Sequence, residues 1–436
     1  MTDTIRVQPV RARDVLRNRH FRNLLIGQFV SQVGDGLIYL SLVIMLNRLL
    51  KTGGAEAAIG FLMICQTAPR VIFGLLSGVY VDRLDRKRLM IISDVARGAI
   101  VLTCLLVQSP DDVWIYYVSA ALLSALSSIF GPAKNASLPH LVEKEQLLVA
   151  NTLSQTSFII ALTLGTASSG VLIGAFNSAV PAIVFDAVSF FVSAAFIALL
   201  PLSHHAAEVR DQRAAQVWAE LQEGLHFVAH QRVLIGAMLG FTLTMLGLGA
   251  INVLFVPFLV NDLRMAETYV GFVDLTQMLG MVAINFFIAK LVTRFSTAQI
   301  FGFGMLGLGV SIGVVGGVQA AWVLFPLSVI WGLTIAPVQA SAATIVQSVP
   351  DHIRGRTNSA TETVVGVANV VSMAAAGFAG SAIGVRMTFV LGGVIAGVGG
   401  VVAWWLMRGT SPQPDWSVSN SNVPVLVAQP IDSDER

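Results

Sequence analysis

The sequence predicts an all-α membrane protein with twelve transmembrane helices in two pseudo-symmetric six-helix bundles. The chain has 436 residues, of which 55% are hydrophobic and only 12% are charged. That charged share is about half of what a soluble domain carries, so the polar surface is too small to face water throughout. Twelve apolar stretches approach the roughly 20 residues that a helix needs to cross a bilayer, and a polar segment divides them into two sets of six.

The predicted spans follow directly from these apolar stretches. The first set covers Arg22–Arg48, Ala57–Val81, Met90–Gln108, Val113–Phe130, Ala150–Phe176 and Ala179–Leu202. The second set covers Leu234–Val260, Thr268–Lys290, Ala298–Val318, Ala321–Gln347, Ser359–Ile383 and Val385–Met407. The chain is therefore expected to comprise an N-terminal segment, a first bundle, a connector, a second bundle and a tail, at residues 1–21, 22–202, 203–232, 233–408 and 409–436.

The connector and the tail have distinct compositions. Val217, Leu221, Leu225 and Val228 recur at helical spacing, which predicts an amphipathic helix lying on the cytoplasmic membrane surface. The tail is rich in Ser, Pro, Asn and Asp, a composition typical of disorder.

Basic residues predict the orientation of the chain. An even number of spans puts both termini on one side, and 21 of the 27 Lys and Arg residues fall on that side, against four on the other. Cytoplasmic segments of membrane proteins carry such an excess. We therefore expect a multi-pass protein of the cell inner membrane with both termini and the connector in the cytoplasm.

Composition and motifs also exclude several functions. The net charge of +2 gives no reason to expect nucleic-acid binding. Cys65 and Cys104 lie in apolar stretches and are interpreted as core residues rather than a disulfide or metal pair. No phosphate-binding loop, spaced Cys/His set or nucleophile motif is present. We therefore expect no enzyme activity, no cofactor and no metal. We also expect no cleavable signal peptide before the first span, because the Arg-rich start lacks an apolar stretch.

The segment between the second and third spans carries the strongest motif. Gly78 precedes Asp82, and Arg83 and Arg86 belong to a basic cluster that follows. An acidic group here is well placed to meet the positive N-terminal end of a helix from the other half. We interpret these residues, with Glu362 at the start of the eleventh span, as a latch between the halves; the alternative is a basic cluster that only fixes topology.

Residues 78–88 resemble the signature loop of the major facilitator superfamily, and the resemblance covers about residues 15–408. Within that superfamily the chain is most similar to enterobactin exporters and macrolide efflux proteins. The segments that carry this second resemblance are 130–133, 137–142, 150–151, 186–190 and 347–356. Two departures are Asp85, where many members have Gly, and Thr166, where the antiporter glycine motif has proline.

The resemblance implies a monomeric secondary transporter of the major facilitator fold that works by alternating access. Its implied partners are a small-molecule substrate, protons and the lipid bilayer. The implied activity is proton-coupled efflux of a small amphiphilic molecule, either a drug such as a macrolide or a siderophore. Two alternatives stay open: a facilitator or flippase for lysophospholipid-like molecules, and a membrane sensor or scaffold that transports nothing.

Charged residues inside spans are the candidates for proton coupling, because an ionised group at mid-bilayer costs at least ~2.5 kcal/mol and needs a partner or water. Asp35 and Arg70 lie near the middles of the first two spans and are predicted to be neighbours. Asp35 would then bind and release the proton, unless the two form only a static ion pair. Asp94 is expected to pair with Arg97 or with the basic loop before the third span, and Asp186 to make a structural contact.

Polar side chains inside other spans are candidates for the substrate cavity. Each either contacts substrate or bonds to a neighbouring helix. These residues are Gln32, Gln155, Asn252, Asp274, Gln277 and Gln339.

Overall fold

The computed structural model describes residues 11–50, 54–81, 85–202 and 214–408. A short helix α1 (Ala12–Arg17) precedes the first bundle. That bundle comprises α2 (Arg19–Leu49), α3 (Ala55–Val81), α4 (Arg86–Thr103), α5 (Trp114–Ser137), α6 (Leu147–Phe176) and α7 (Val180–Ala198). The connector helix is α8 (Ala214–Ala229), and the second bundle comprises α9 (Arg232–Pro257), α10 (Val270–Asn285), α11 (Ile288–Arg294), α12 (Thr297–Gly317), α13 (Leu324–Gln347), α14 (Asp351–Ile383) and α15 (Val385–Met407).

Helix starts follow from local capping chemistry. The Asn18 side chain accepts hydrogen bonds from the backbone N–H groups of His20 and Phe21, at 2.9 and 3.3 Å, and so satisfies two free donors at the start of α2. Ser296 and Gln299 form a capping box at the start of α12. Within the described residues, eleven helical segments are long and apolar enough to cross a membrane.

The predicted eighth span is split. α10 and α11 are separated by Phe286 and Phe287, whose N–H groups donate to the carbonyls of Ala283 and Ile284 in tight three-residue turns. Both phenylalanine side chains are exposed, at 81% and 61%. Each helix alone is too short to cross a bilayer, but α10 and α11 together extend from Val270 to Arg294 and provide the twelfth crossing.

The two bundles share one packing pattern. In the first, α2 packs against α6 and α7, α3 packs against α5, and α4 packs against α5 and α7. In the second, α9 packs against α14 and α15, α10 against α13, and α12 against α13 and α15. The crossings therefore occupy equivalent places in the two halves. The main contacts between the halves, α3 with α14 and α6 with α10, are related by the same equivalence.

The connector helix α8 lies against protein, which corrects the prediction that its apolar face rests on the membrane. Leu221 and Val228 are buried at 8% and 0% exposure. Glu223 accepts two hydrogen bonds from Arg356 Nη1, at 2.6 and 2.7 Å, and Gly224 packs on the Arg356 carbonyl of α14. The amphipathic pattern is real, but its apolar face is satisfied by α14 of the second bundle.

The ends of the helices define two sides of the molecule. The terminal side contains the start of α2, the end of α15 and the connector; the far side contains the opposite helix ends. Residues 1–10 of the predicted N-terminal segment and the predicted tail at residues 409–436 lie outside the described residues.

Candidate functional site

One face of α2 presents polar side chains to the interior of the first bundle. Gln28, Gln32, Asp35 and Tyr39 follow at intervals of three or four residues, which places them on one helix face. Gln28 and Gln32 are buried at 8% and 7% exposure, whereas Asp35 and Tyr39 are half-buried. Gln32 Oε1 has no hydrogen-bond partner among the described residues. These positions form a polar path that runs from the terminal side toward the middle of the bundle.

A cluster of four charged groups lies beside this path, formed by Asp35, Asp94, Arg97 and Asp186. Asp94 and Arg97, one turn apart on α4, form an ion pair that is almost fully buried, as the sequence predicts. The Arg97 guanidinium lies between two aromatic rings, 4.4 Å from the Phe130 centroid and 4.6 Å from that of Phe190. Such stacking stabilises a desolvated cation.

Asp186 joins the cluster through a close helix crossing. Its carboxylate lies directly against the backbone of Gly34, the residue before Asp35, so that a Cβ at Gly34 would collide with Asp186 Oδ1. Asp186 is fully buried, and its Oδ2 has no hydrogen-bond partner among the described residues. Among the carboxyl groups, the sequence predicts only Asp35 near the middle of a span, but Asp186 lies at the same depth in the bundle as Asp35.

The structure does not form the predicted pair of Asp35 with Arg70. Arg70 is exposed on α3, and no hydrogen bond or ion pair among the described residues joins it to Asp35. The physical reason is packing: α2 lies along α6 and α7, which brings Asp35 toward the buried guanidinium of α4.

The cluster holds three carboxyl groups and one guanidinium. If all four ionise, the site carries an excess of two negative charges inside an apolar bundle, where each uncompensated charge costs at least ~2.5 kcal/mol. Proton uptake relieves this excess. Only Asp35 is partly exposed, whereas Asp94 and Asp186 are fully buried. The arrangement is therefore suited to proton exchange at Asp35, the carboxyl group of the cluster that is partly exposed.

A second acidic group meets the first bundle from the other half. Asp274 on α10 is half-buried and lies one turn after Gly271, where a Cβ would collide with the Thr166 carbonyl of α6. The Thr166 hydroxyl also lies 3.1 Å from the Thr163 carbonyl, to which it donates. Tyr39, on the polar path of α2, donates to Met63 Sδ at 3.6 Å. Asp274 thus lies at the boundary between the halves.

The other predicted cavity residues are scattered. Gln277 and Asn252 are half-buried on α10 and α9, whereas Gln155 and Gln339 are exposed on α6 and α13. A pocket in the terminal half of the first bundle includes Gln32 but not Gln155. Its walls come from α2, α5 and the start of α6, and it is lined by Phe21, Leu24, Leu25, Gln28, Gln32, Lys134, Asn135, Leu138, Asn151, Ser154 and Ser157.

The halves are joined on the far side by a polar seal. Arg48 at the end of α2 forms an ion pair with Glu267 through two nitrogens, of which Nε lies 2.8 Å from Oε1. Asn47 and Asn261 exchange amide hydrogen bonds of 3.2 and 3.0 Å across the same boundary. Arg48 also donates to Asn177 at 2.9 Å. These far-side contacts are what the sequence reasoning missed, because no local pattern reveals which loops meet.

Glycines bring the helix backbones together in the same region. A Cβ at Gly60 would lie 3.1 Å from the Met373 carbonyl of α14. One at Gly170 or Gly174 would collide with Glu267 or Thr268, which precede α10. The glycines of α6 therefore help to seal the far side.

Of the predicted latch residues on the terminal side, Arg86 and Glu362 have described side chains, and no hydrogen bond or ion pair joins the two. Arg86 donates to the Ala136 carbonyl at 3.0 Å and lies 3.2 Å from His140 Nε2, both in its own half. Glu362 is exposed and accepts a hydrogen bond from Asn358 at 2.8 Å. Gly78 lies within α3, but its side-chain surroundings, like Asp82 and Arg83, lie outside the described residues. The latch stays a prediction.

The fold, the paired bundles and the polar path define a membrane transporter built from two equivalent halves. The chain belongs to the Major Facilitator Superfamily, whose sequence model matches residues 24–248 and 237–430. The family match confirms the resemblance seen in the signature loop.

Three similar proteins illustrate the membership. Macrolide efflux protein A of Streptococcus pyogenes is 24% identical, over 86% of this chain and 93% of that protein. Multidrug efflux pump Tap of Mycobacterium bovis (strain BCG / Pasteur 1173P2) is 25% identical, over 84% of this chain and 88% of that protein. The crystal structure of a bacterial homologue of the iron transporter ferroportin in an inward-facing state has a TM-score of 0.71 at 14% identity, over 89% of this chain and 99% of the other, and shows the shared fold.

Proposed function

We propose that the protein exports a small amphiphilic molecule, such as a macrolide-like drug or a siderophore, by proton-coupled alternating access. The observation that carries this proposal is the cluster of three carboxyl groups around Arg97, which opens to the polar path only at Asp35. A group that alternates between water and a closed environment can exchange a proton in each cycle. The efflux relatives support export as the direction.

The far-side seal supports the conformational part of the proposal. Most of the described polar contacts between the bundles lie on the far side, whereas Arg86 and Glu362 on the terminal side remain apart. The basic residues concentrated on the terminal side support its assignment to the cytoplasm. The structure then represents the state that loads substrate from the cytoplasm.

Export requires the seal to open and the terminal side to close. Opening separates Arg48 from Glu267, and closing brings Asp82, Arg83 and Arg86 toward Glu362. Protonation of Asp35 weakens its attraction to Arg97 and removes one negative charge from the cluster. The transporter would thus link proton entry from outside to substrate release on that side.

The test is uphill transport by purified protein in liposomes with an imposed pH gradient. Tritiated erythromycin is expected to accumulate against its own gradient only while the pH gradient lasts. Flux that runs downhill and ignores the pH gradient would instead identify a facilitator. If neither erythromycin nor a catecholate siderophore nor a lysophospholipid moves, the proposal is wrong and a sensor or scaffold role is favoured.

A further inference from the structure

The pocket in the terminal half of the first bundle contains a cation with no counter-ion. Lys134 on α5 is half-buried, and no described residue forms a hydrogen bond or ion pair with its ammonium group. Lys134 therefore offers an ammonium group without a direct partner among the described residues to a ligand in this pocket.

The same pocket contains a buried hydrogen-bond acceptor that receives no hydrogen bond from the described residues. Gln32 is 7% exposed, and its Oε1 has no partner among the described residues. Its neighbour Gln28, one turn away, is satisfied because it donates to Ser193 at 3.2 Å. An unpaired buried amide oxygen costs ~1–3 kcal/mol, so a donor supplied by a ligand would stabilise this site.

The pocket is lined by both polar and apolar side chains, a combination that suits an amphiphilic ligand. Ser154 and Ser157 on α6 line it and make no hydrogen bond within the described part of the chain, whereas Thr152 and Thr163 of the same helix donate to backbone carbonyls one turn back. Free hydroxyls, a free cation and a free acceptor therefore face one space. Phe21, Leu24, Leu25 and Leu138 supply the apolar surface.

We propose that this pocket binds an amphiphile that carries one carboxylate or phosphate next to an N–H or O–H donor. The anion pairs with Lys134, the donor group meets Gln32 Oε1, and the apolar part lies on the leucine and phenylalanine wall. The proposal rests on the export function, because it names the substrate class that the site loads from the terminal side.

The test is equilibrium binding to the purified protein in phosphatidylcholine nanodiscs, without any gradient and with empty discs subtracted. The probe is N-lauroylglycine, which has a carboxylate, an amide N–H and an alkyl chain. Its methyl ester lacks the charge, and N-lauroylsarcosine lacks the N–H. The acid is expected to bind about tenfold more tightly than the ester, since charge-assisted hydrogen bonds are the strong ones.

Two variants assign this preference to the pocket. Lys134→Gln is expected to remove the preference for acid over ester, whereas Lys144→Gln, at an exposed lysine outside the pocket, is expected to keep it. Gln32→Leu is expected to abolish the preference for N-lauroylglycine over N-lauroylsarcosine and to leave the charge preference intact. Thermal unfolding checks that each variant is folded.

The proposal is overturned if acid and ester bind equally to the wild type, or if both lysine variants behave alike. Nanodiscs with added phosphatidylglycerol decide the source of the ligand. If phosphatidylglycerol competes with N-lauroylglycine in a Lys134-dependent way, the natural ligand is a membrane lipid. If it does not compete, the ligand is a soluble substrate. Lys134-dependent binding without transport of erythromycin, a catecholate siderophore or a lysophospholipid would retain the pocket and reject the export function.

Discussion

Arg48 at the far end of α2 and Glu267 before α10 form an ion pair that joins the two halves of the transporter. The guanidinium contacts both carboxylate oxygens, and it also donates to Asn177 in its own half. Because both side chains are partly exposed, at 21% and 14%, the pair is accessible to water when the halves separate. Such a contact can be made and broken in each cycle at modest cost.

Breaking this pair is expected to impair sealing rather than folding. Glu267→Gln should lower uphill export several-fold, because protons and substrate leak through an unsealed far side, while thermal unfolding stays close to wild type. The charge-swapped double variant Arg48→Glu with Glu267→Arg should restore export. Asp111→Asn, which changes an exposed carboxylate on the same side, serves as the control. Normal export by Glu267→Gln would show that the ion pair does not contribute to the seal.

The glycine contacts between α6 and the segment before α10 make a second prediction. Gly170→Val is expected to hold the halves apart on the far side, because its side chain meets the Glu267 carbonyl. A cysteine introduced at Asn47, on the same seal, should then label from outside with an impermeant maleimide. Gly131→Val is the matched control, since no atom lies within 4 Å of a Cβ there. Equal labelling in both variants would contradict the predicted role of Gly170.

Arg97 and Arg70 should differ sharply in their effect on stability. Arg97→Gln leaves Asp94 buried without its cation, which is expected to cost ~3 kcal/mol or more of folding free energy. Arg70→Gln changes an exposed side chain with no ion pair among the described residues, and is expected to leave the unfolding temperature nearly unchanged. Thermal unfolding in detergent measures both. Similar losses in the two variants would restore Arg70 as a partner of the cluster.

Asp35 should control the pH dependence of transport. Asp35→Asn fixes the group in a neutral form, so the variant is expected to bind substrate but lose uphill export. Its remaining downhill flux should no longer vary with pH, because the side chain at position 35 can no longer bind and release a proton. Flux is measured in liposomes at a series of pH values equal on both sides. Asp111→Asn again provides the control, and a wild-type pH profile in Asp35→Asn would assign coupling to another group.

Cysteine labelling tests the proposed orientation. In a background with Cys65→Ala and Cys104→Ala, single cysteines are placed at Asp111 on the far side and at Glu143 on the terminal side, both exposed. An impermeant maleimide added to intact cells should react only at position 111. Labelling of position 143 instead would invert the assignment of the terminal side to the cytoplasm.

The sequence by itself determined the class of fold. The number of long apolar stretches predicts the number of transmembrane helices, because a helix that crosses a bilayer must present mainly apolar side chains to the lipid. Even so, the hydropathy of the eighth span did not predict its division at Phe286 and Phe287 into the two helices α10 and α11. The Asp94–Arg97 pair was also predictable, since residues three apart on a helix are neighbours.

Only the tertiary structure decided which distant charges meet. Asp35 and Arg70 both lie near the middles of adjacent spans, yet α2 packs along α6 and α7, and Gly34, the residue before Asp35, lies against Asp186 of α7. Helix rotation and crossing angle determine such contacts, and they depend on the whole interface rather than on a local pattern. The Arg48–Glu267 seal has the same origin, because its partners are 219 residues apart in the chain and only the docking of the two halves brings them together.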